Sequence, residues 1–422
     1  MSKTSTNTGE IIVQLSPAPM FFPTTGAQLR NHHLARQLAR IRPVYSLTFA
    51  ADAPVRAPHK DAGMEHQAIP RPTGHKVRAL LGGAFGAKPY SILHYTTQPM
   101  RDALESVLRT RKVAAVQIEA IQLCGYASFI RQVSPLTAIV LDWHNVESKL
   151  VARFAETTAN PAKRLYARRT ADQLRRLEKS MLQLCDLHLV VSNRERDELA
   201  ALNPQAAIRV IDNGVDAEQF EGADGEIGSR PDIIFVGSMD YYANEDAVRY
   251  FVAEIWPKIR SVFPQAVFRI VGRKPGAAVQ ALAATPGVVV TGTVDDVRPY
   301  YQRARAVVVP LRVGGGTRLK ILEAFAAGTP VVSTGLGAEG LTASEGHDYL
   351  RAESPDEFVE CVRRLYEDDS QWRKLSSAGR ELAVSRYAWP AIGRDLQEAY
   401  RETLGIVPLS EAAIDNASCT RT

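Results

Sequence analysis

The residue types richest in chemistry stand between 307 and 334, in the run VVVPLRVGGGTRLKILEAFAAGTPVVST. An apolar strand running to Pro310 gives way to Gly314, Gly315 and Gly316, and then to an amphipathic helix predicted to begin near Thr317 and to stop at Gly328. Thr317 suits a helix N-cap and Gly328 the position just past a helix end. Leu319, Leu322, Phe325 and Ala326 supply the inward face. Arg318 and Lys320 then fall in the first turn, where the partial positive charge of a helix terminus favours Asp or Glu instead. Two cations at that end make sense if an anion binds there. Free amides of the glycine loop, the helix terminus and the two side chains would converge on a diphosphate. Glu323 follows about one turn later, near the face of Lys320, where a carboxylate can accept two hydrogen bonds from a ribose diol. Without that coincidence, the segment would read as a mobile glycine loop with solvated cations.

Other candidates cluster at predicted strand ends. In AIVLDWHNVESKL, His144 lies just past the carboxyl end of a parallel strand, the edge at which open α/β sheets collect ligands. It reads as a residue of the reacting centre, or as a cap of the following helix. Glu119 ends another strand at the same edge, and Arg30 sits one turn into the first helix. Both are acceptor-side candidates, and Arg30 reads equally as a solvated residue. Gly237 and Ser238 end a strand where a tight turn lets backbone approach phosphate or sugar. There is no Asp-x-Asp pair, no His cluster, no nucleophile elbow and no P-loop, so neither a metal nor another cofactor is expected.

These residues need elements to hold them. Short apolar runs alternate with amphipathic helices throughout, the signature of parallel α/β sheets. Strands are predicted at 11–15, 44–47, 114–118, 138–141 and 187–191, then at 232–236, 267–271, 288–290, 306–309 and 330–333. Helices are predicted at 27–40, 100–109, 147–184 with a break near Pro161, 194–201, 244–260 and 318–327. The polar, glycine-rich stretch 213–231 reads as a linker. The expected domains are therefore 1–212 and 213–404, with a last helix at about 389–404 that can pack back on the first domain, and a loose tail at 405–422.

At 422 residues, two domains are the default. Four widely spaced cysteines argue against a zinc site or a disulfide framework and fit a reducing cytoplasm. The sequence starts without a secretory pattern and has no apolar run long enough to span a membrane. The net charge of +5 conceals an asymmetry: residues 1–210 hold 28 Lys+Arg against 16 Asp+Glu, and the remainder 23 against 30. A basic first half fits an anionic partner such as a phospholipid surface or a lipid diphosphate, and equally an arbitrary surface difference. Residues 160–184 place basic side chains at 163, 164, 168, 169, 175, 176 and 179 around an apolar stripe of Leu165, Leu174, Leu177 and Met181. That pattern reads as a helix lying on an anionic bilayer, or as a core-facing helix with a solvated basic face.

The glycine-loop segment resembles the donor-binding motif of glycosyltransferase family 4. VIDNGVDAEQF at 210–220, IIFVGSMDYYANEDAVRYF at 233–251, FRIVGRKP, VVVTGTVDDVRPYYQRARAVVVP and LEAFAAGTPVV resemble further family motifs in the expected order. PAPMFFPTTGAQLRNHHLARQLA resembles the first loop of the N-terminal domain. The resemblance implies the GT-B fold, two Rossmann-like domains with parallel sheets facing across a cleft. It also implies retaining hexosyl transfer from a nucleotide-diphosphate sugar, of the kind used in exopolysaccharide assembly. Gly26 would bring backbone to the donor phosphate, and His144 would lie close to the transferred sugar. The acceptor would be a saccharide or lipid-linked saccharide, and nucleic acid is not an expected partner. The expected place is the cytoplasm, peripherally at the inner face of a membrane.

Two departures stand out. The family commonly has two glutamates seven residues apart; Glu323 fits the second, but Gly315 occupies the place of the first. The loop after FVGS also lacks the Arg and Lys often used on phosphate, for which Arg318, Lys320 and Arg273 are the expected replacements. Two other readings stay open. One is a nucleotide-sugar 2-epimerase, which would need several acidic and basic residues about the sugar. The other is a non-catalytic nucleotide-sugar-binding partner subunit, which Gly315 alone encourages.

Overall fold

The computed structural model describes residues 9–19, 25–50, 64–72, 82–83, 86–220, 231–314 and 318–408. It divides into two compact units, Met1–Asp212 with Gly393–Thr422, and Asn213–Ile392. The helix Trp389–Leu404 spans the division, so the chain returns to its first unit partway along it.

The first unit is built on seven parallel strands: β1 (Glu10–Ser16), β2 (Val44–Ala50), β3 (Met64–Pro70), β4 (Lys112–Glu119), β5 (Ala138–Trp143), β6 (Leu187–Val190) and β7 (Ile208–Val210). Their order is β3-β2-β1-β4-β5-β6-β7. The chain winds outward from β1 in one direction and then resumes beside β1 with β4, so the order reverses between these two strands. Such a reversal opens a crevice at the carboxyl ends, where ligands of doubly wound sheets bind. Ile12, Val13, Leu15, Val116, Ile118, Ile139 and Leu141 are fully buried, as strands covered by helices on both faces require.

The second unit repeats the plan with β8 (Asp232–Val236), β9 (Val267–Val271), β10 (Val288–Gly292), β11 (Ala304–Val309), β12 (Val331–Ser333) and β13 (Leu350–Arg351). The order β10-β9-β8-β11-β12-β13 places its reversal between β8 and β11. Segment 213–220, read as linker, is packed in this unit: Val215 N–H donates to the Tyr387 carbonyl at 2.8 Å, and Phe220 stacks edge-on to Tyr301.

The expected break near Pro161 is present: one helix spans Glu147–Thr157 and the next starts at Pro161 and runs to Leu184, with Pro161 in its first turn. Other elements differ from expectation. The single helix expected at 244–260 is interrupted. Tyr242–Tyr250 passes through a π turn at Phe251–Ile255 into Trp256–Val262, because Pro257 lacks the amide that a continuous α-helix needs. Leu165 is 72% exposed, so it is not part of the buried stripe; Ala167, Ala171, Leu174 and Met181 form the inward face. Strands β3, β7 and β13 were not foreseen. The linker residues 221–230 and the tail beyond 408 lie outside the described residues.

Candidate active site

In the first unit, β1, β4 and β5 converge their carboxyl ends on one buried polar cluster. Glu119 closes β4 and Asp142 lies near the end of β5; both are fully buried. His144 follows two residues after Asp142, with its side chain 13% exposed, and places Nε2 3.4 Å from Asp142 Oδ2 and 3.6 Å from Glu119 Oε2. Arg30, on the helix Gly26–Leu38, donates from Nε and Nη2 to the two oxygens of Asp142 at 2.8 and 2.7 Å. Its Nη1 donates to the carbonyls of Ile211 and Asp212. Arg30 is thus engaged inside the protein, 2% exposed, rather than solvated. Glu119 Oε1 accepts from Gln14 Nε2 at 2.5 Å and from Gln117 Nε2 at 2.7 Å. Tyr400 in turn donates to Gln117 Oε1. The Asn31 amide satisfies its neighbours when its nitrogen faces Glu119 Oε2, the Ala27 carbonyl and, at 3.0 Å, His144 Nε2, and its oxygen faces Ser16.

Two carboxylates and one guanidinium would leave this buried cluster with a net negative charge, and a protonated His144 balances it. Burial opposes the imidazolium, but the close carboxylates of Asp142 and then Glu119 outweigh it, pushing His144 up to about 9. Burial also raises Glu119, with the charge of Asp142 adding to it, while His144 and Gln14 work the other way. For Asp142 burial is again the largest influence, yet Arg30 overcomes it and holds the carboxyl well below its usual range. Glu119, Asp142 and His144 have ligand atoms close enough to surround a cation. Both Asp142 oxygens are spent on Arg30 and one Glu119 oxygen on two amides, so these donors suit an ion-pair network better than a metal.

In the second unit, the loop after β8 and the helix after β11 meet at the reversal. Lys320 and Glu323 lie on the helix Leu319–Ala326, whose end is marked by Gly328 at φ +64°. The helix begins at Leu319 rather than near Thr317, so Arg318 precedes its first turn and only Lys320 lies within it. Lys320 Nζ donates to Asn244 Oδ1 at 2.7 Å and lies 4.0 Å from the centre of the Phe235 ring. Burial, and then the charge of Arg318, lower it to about 7, with Glu323 opposing. Glu323 Oε2 accepts from Tyr301 at 2.7 Å. Arg318 is buried and donates to the Leu336 carbonyl at 2.7 Å, an orientation that ties down the 334–339 loop.

Gly237 and Ser238 form the turn beside Lys320. A Cβ on Gly237 would lie 2.8 Å from Asn244 Nδ2 and 3.2 Å from Lys320 Nζ. Arg273 donates from Nε to Ser238 Oγ at 3.0 Å, and Ser238 donates to Asp240. Gly314 has φ +108°, and a Cβ there would press on Ala243 at 2.7 Å, so Gly314 packs against the first turn of the helix Tyr242–Tyr250. Gly315, Gly316 and Thr317 lie outside the described residues. Gly26 is the exposed first residue of its helix, behind the N-cap Thr25. Among the described residues, the two non-glycine residues with positive φ, Ala120 at 72° and Lys274 at 51°, follow directly on Glu119 and Arg273, so backbone strain falls beside candidates in both units.

Lys320, Glu323, Gly237, Ser238, Arg273 and Gly314 are thus brought together in one unit, and His144, Glu119 and Arg30 in the other. Sequence reasoning missed Asp142, Gln14, Asn31, Phe235, Asn244 and Tyr301. Only Asp142 carried a local signal, since residues 142 and 144 share one face of an extended segment.

Two doubly wound units, each with polar residues at its switch point, define the GT-B class. A sucrose-phosphate synthase of Thermosynechococcus elongatus shares the fold with a TM-score of 0.70 at 18% identity, over 94% of this chain and 99% of that one. Anabaena HepE, solved in complex with UDP and glucose, gives 0.65 at 14% identity over 93% and 100%. Residues 24–219 match Glycosyltransferase Family 4, and residues 230–368 match Glycosyl transferases group 1. The chain belongs to these GT-B glycosyltransferases. A D-inositol 3-phosphate glycosyltransferase of Streptomyces bingchenggensis (strain BCW-1) is 24% identical over 253 residues, 54% of this chain and 55% of that protein. The match spans about half the length of such curated relatives.

Proposed function

We propose that this protein transfers a hexose-type sugar, with retention, from a nucleotide-diphosphate donor to a saccharide or lipid-linked saccharide during assembly of cell-surface polysaccharide. The observation that carries the reading is the placement of Lys320 and Glu323, an ammonium and a carboxylate one turn apart on one helix at the switch point of the second sheet, beside the Gly237–Ser238 turn. The diphosphate is assigned to Lys320, to Arg273 and to the amides of the Gly237 and Gly314 loops. The ribose is assigned to Glu323, which Tyr301 holds by one oxygen. The UDP and glucose bound by HepE support a donor of this chemistry.

In this reading His144 acts as an imidazolium. Its N–H faces two carboxylates, so it orients a sugar hydroxyl or stabilises developing charge and does not abstract a proton. Arg30 positions Asp142, and Glu119 stands behind His144.

Membrane association is supported by the turn between helices Glu147–Thr157 and Pro161–Leu184. Phe154, Leu165 and Tyr166 are exposed there among Lys163, Arg164 and Arg168. No helix of the described residues is long and apolar enough to cross a membrane, so the reading is peripheral contact at the cytoplasmic face.

Thermal unfolding in the presence of UDP-, GDP- and ADP-sugars tests the donor site. One class should raise the midpoint of the wild type, and Lys320→Ala and Glu323→Ala should each abolish the rise. A rise that survives both changes sinks the assignment.

A further inference from the structure

Lys320 has an unusual setting for a cation. Its ammonium lies over the face of Phe235, which attracts positive charge, and its one polar side-chain partner among the described residues is the neutral amide oxygen of Asn244. Among the described residues no carboxylate oxygen lies within ion-pair distance of Nζ. Asn244 is itself fixed at the other end: its Nδ2 donates to the Ser238 carbonyl at 2.8 Å, and it packs against Gly237. One side chain therefore ties the ammonium of the helix after β11 to the turn after β8.

We propose that Asn244 is a positioning residue of the donor site, holding Lys320 over Phe235 beside the Gly237–Ser238 turn so that an entering diphosphate supplies the counter-charge and draws a proton onto Lys320. The proposal rests on the donor reading above and adds both the positioning residue and the proton. A neutral amide does what a carboxylate could not in this place. It orients the ammonium by accepting one hydrogen, and it does not repel the incoming phosphates. The charged groups nearest Nζ do not neutralise it. Arg318 repels it, and Glu323, whose attraction opposes that repulsion, is held by Tyr301. Asp240 on the neighbouring loop is paired with Ser238 and Lys274, and Arg273 points to Ser238. Burial and Arg318 bring Lys320 down to about 7, so in mild alkali much of it is neutral until an anion arrives.

Isothermal titration with UDP-, GDP- and ADP-glucose at about pH 8, in two buffers of different ionisation enthalpy, measures the proton directly. The sugar diphosphates have no group titrating near that pH, so uptake reports the protein. The wild type should take up a substantial fraction of one proton on binding its donor, falling toward zero at about pH 6. Asn244→Ala should weaken binding about tenfold or more, the size of one lost hydrogen bond to a charged group. Asn244→Asp should weaken it further and abolish the uptake, because its carboxylate keeps Lys320 charged in the free protein and repels the phosphates. Circular dichroism and the unfolding midpoint identify a variant that fails to fold, and the wild-type proton count stands without any variant. Donor binding without proton uptake overturns the proposal while the donor reading survives. Donor binding that is unchanged in both folded variants does the same. If none of the three donors binds, the donor reading falls and the proposal with it.

Discussion

Replacing Asp142 by Asn probes the first-unit cluster where its energy is most concentrated. Arg30 and Asp142 are 2% and 0% exposed, and two hydrogen bonds of 2.7 and 2.8 Å join them in fork geometry. The Asn side chain is nearly isosteric but offers one acceptor in place of two, and it removes the charge that Arg30 was buried to meet. Removing one partner of a buried pair costs about 3–5 kcal/mol, because the remaining charge is left uncompensated. The carbonyls of Ile211 and Asp212 still accept from Arg30, so the lower end, about 3 kcal/mol, is the expected value. In a unit of this size that corresponds to a fall in Tm of about 6–12 °C. The sign with pH is also fixed. Asp142 is depressed in the folded state, so its contribution is present above the unfolded carboxylate value and lost as pH falls through the folded one. Wild type and variant should therefore differ fully at neutral pH and converge in strong acid. The same change removes a hydrogen bond and a charge that raise His144, so the His144 titration followed by NMR should move down from about 9. Urea unfolding at neutral pH is the primary assay. A loss below about 1 kcal/mol, or an unmoved His144, would refute the account of the cluster.

Three further expectations follow from particular contacts. Gly272 has φ +151°, and a Cβ there would sit 1.7 Å from the Gly237 carbonyl, so Gly272→Ala should cost more than about 2 kcal/mol and displace the Gly237 turn, as denaturant unfolding and donor titration would register. Buried His33 and His188 are pushed down to about 3 and about 4, mainly by burial, from an unfolded value of 6.5. The unfolded chain therefore binds more protons across that interval. Stability should be full above about pH 6.5 and decline as pH falls toward 4, most clearly in unfolding midpoints compared with a His188→Gln variant. The wild type should co-sediment with vesicles rich in anionic lipid and only weakly with neutral ones, and Leu165→Asp should reduce the first; equal binding to both vesicle types by the wild type would remove the membrane reading.

Much of the fold is legible in short stretches of sequence because its causes are local. Strands β8 and β9 announce themselves as apolar runs, Pro161 divides two helices by lacking an amide, and Gly328 ends another by taking a left-handed conformation. Strands β3 and β7 are less visible, since MEHQAIP and IRV carry little apolar periodicity and owe their pairing to neighbours already in place. The site divides the same way. Lys320 and Glu323 are one turn apart on one helix, and their spacing can be read directly. Asn244, Phe235 and Tyr301 reach them from three other elements, and nothing in local sequence reports that convergence. Arg30 and Asp142 stand 112 positions apart, so the pair that fixes both depends on the tertiary fold bringing the first helix within side-chain reach of the end of β5. Arg318 was read from helix polarity alone, and its direction toward Leu336 depends on a loop that the sequence does not place.

The central claim is sugar transfer, and the most direct measurement is product analysis by NMR after incubating the chain with its tightest-binding nucleotide sugar, with and without saccharide acceptors. Free nucleoside diphosphate and a new glycosidic linkage of the donor's anomeric configuration should form when acceptor is present, and both should fall sharply in His144→Ala. An epimerised nucleotide sugar formed from donor alone, or tight donor binding with no turnover on any acceptor, would contradict the account.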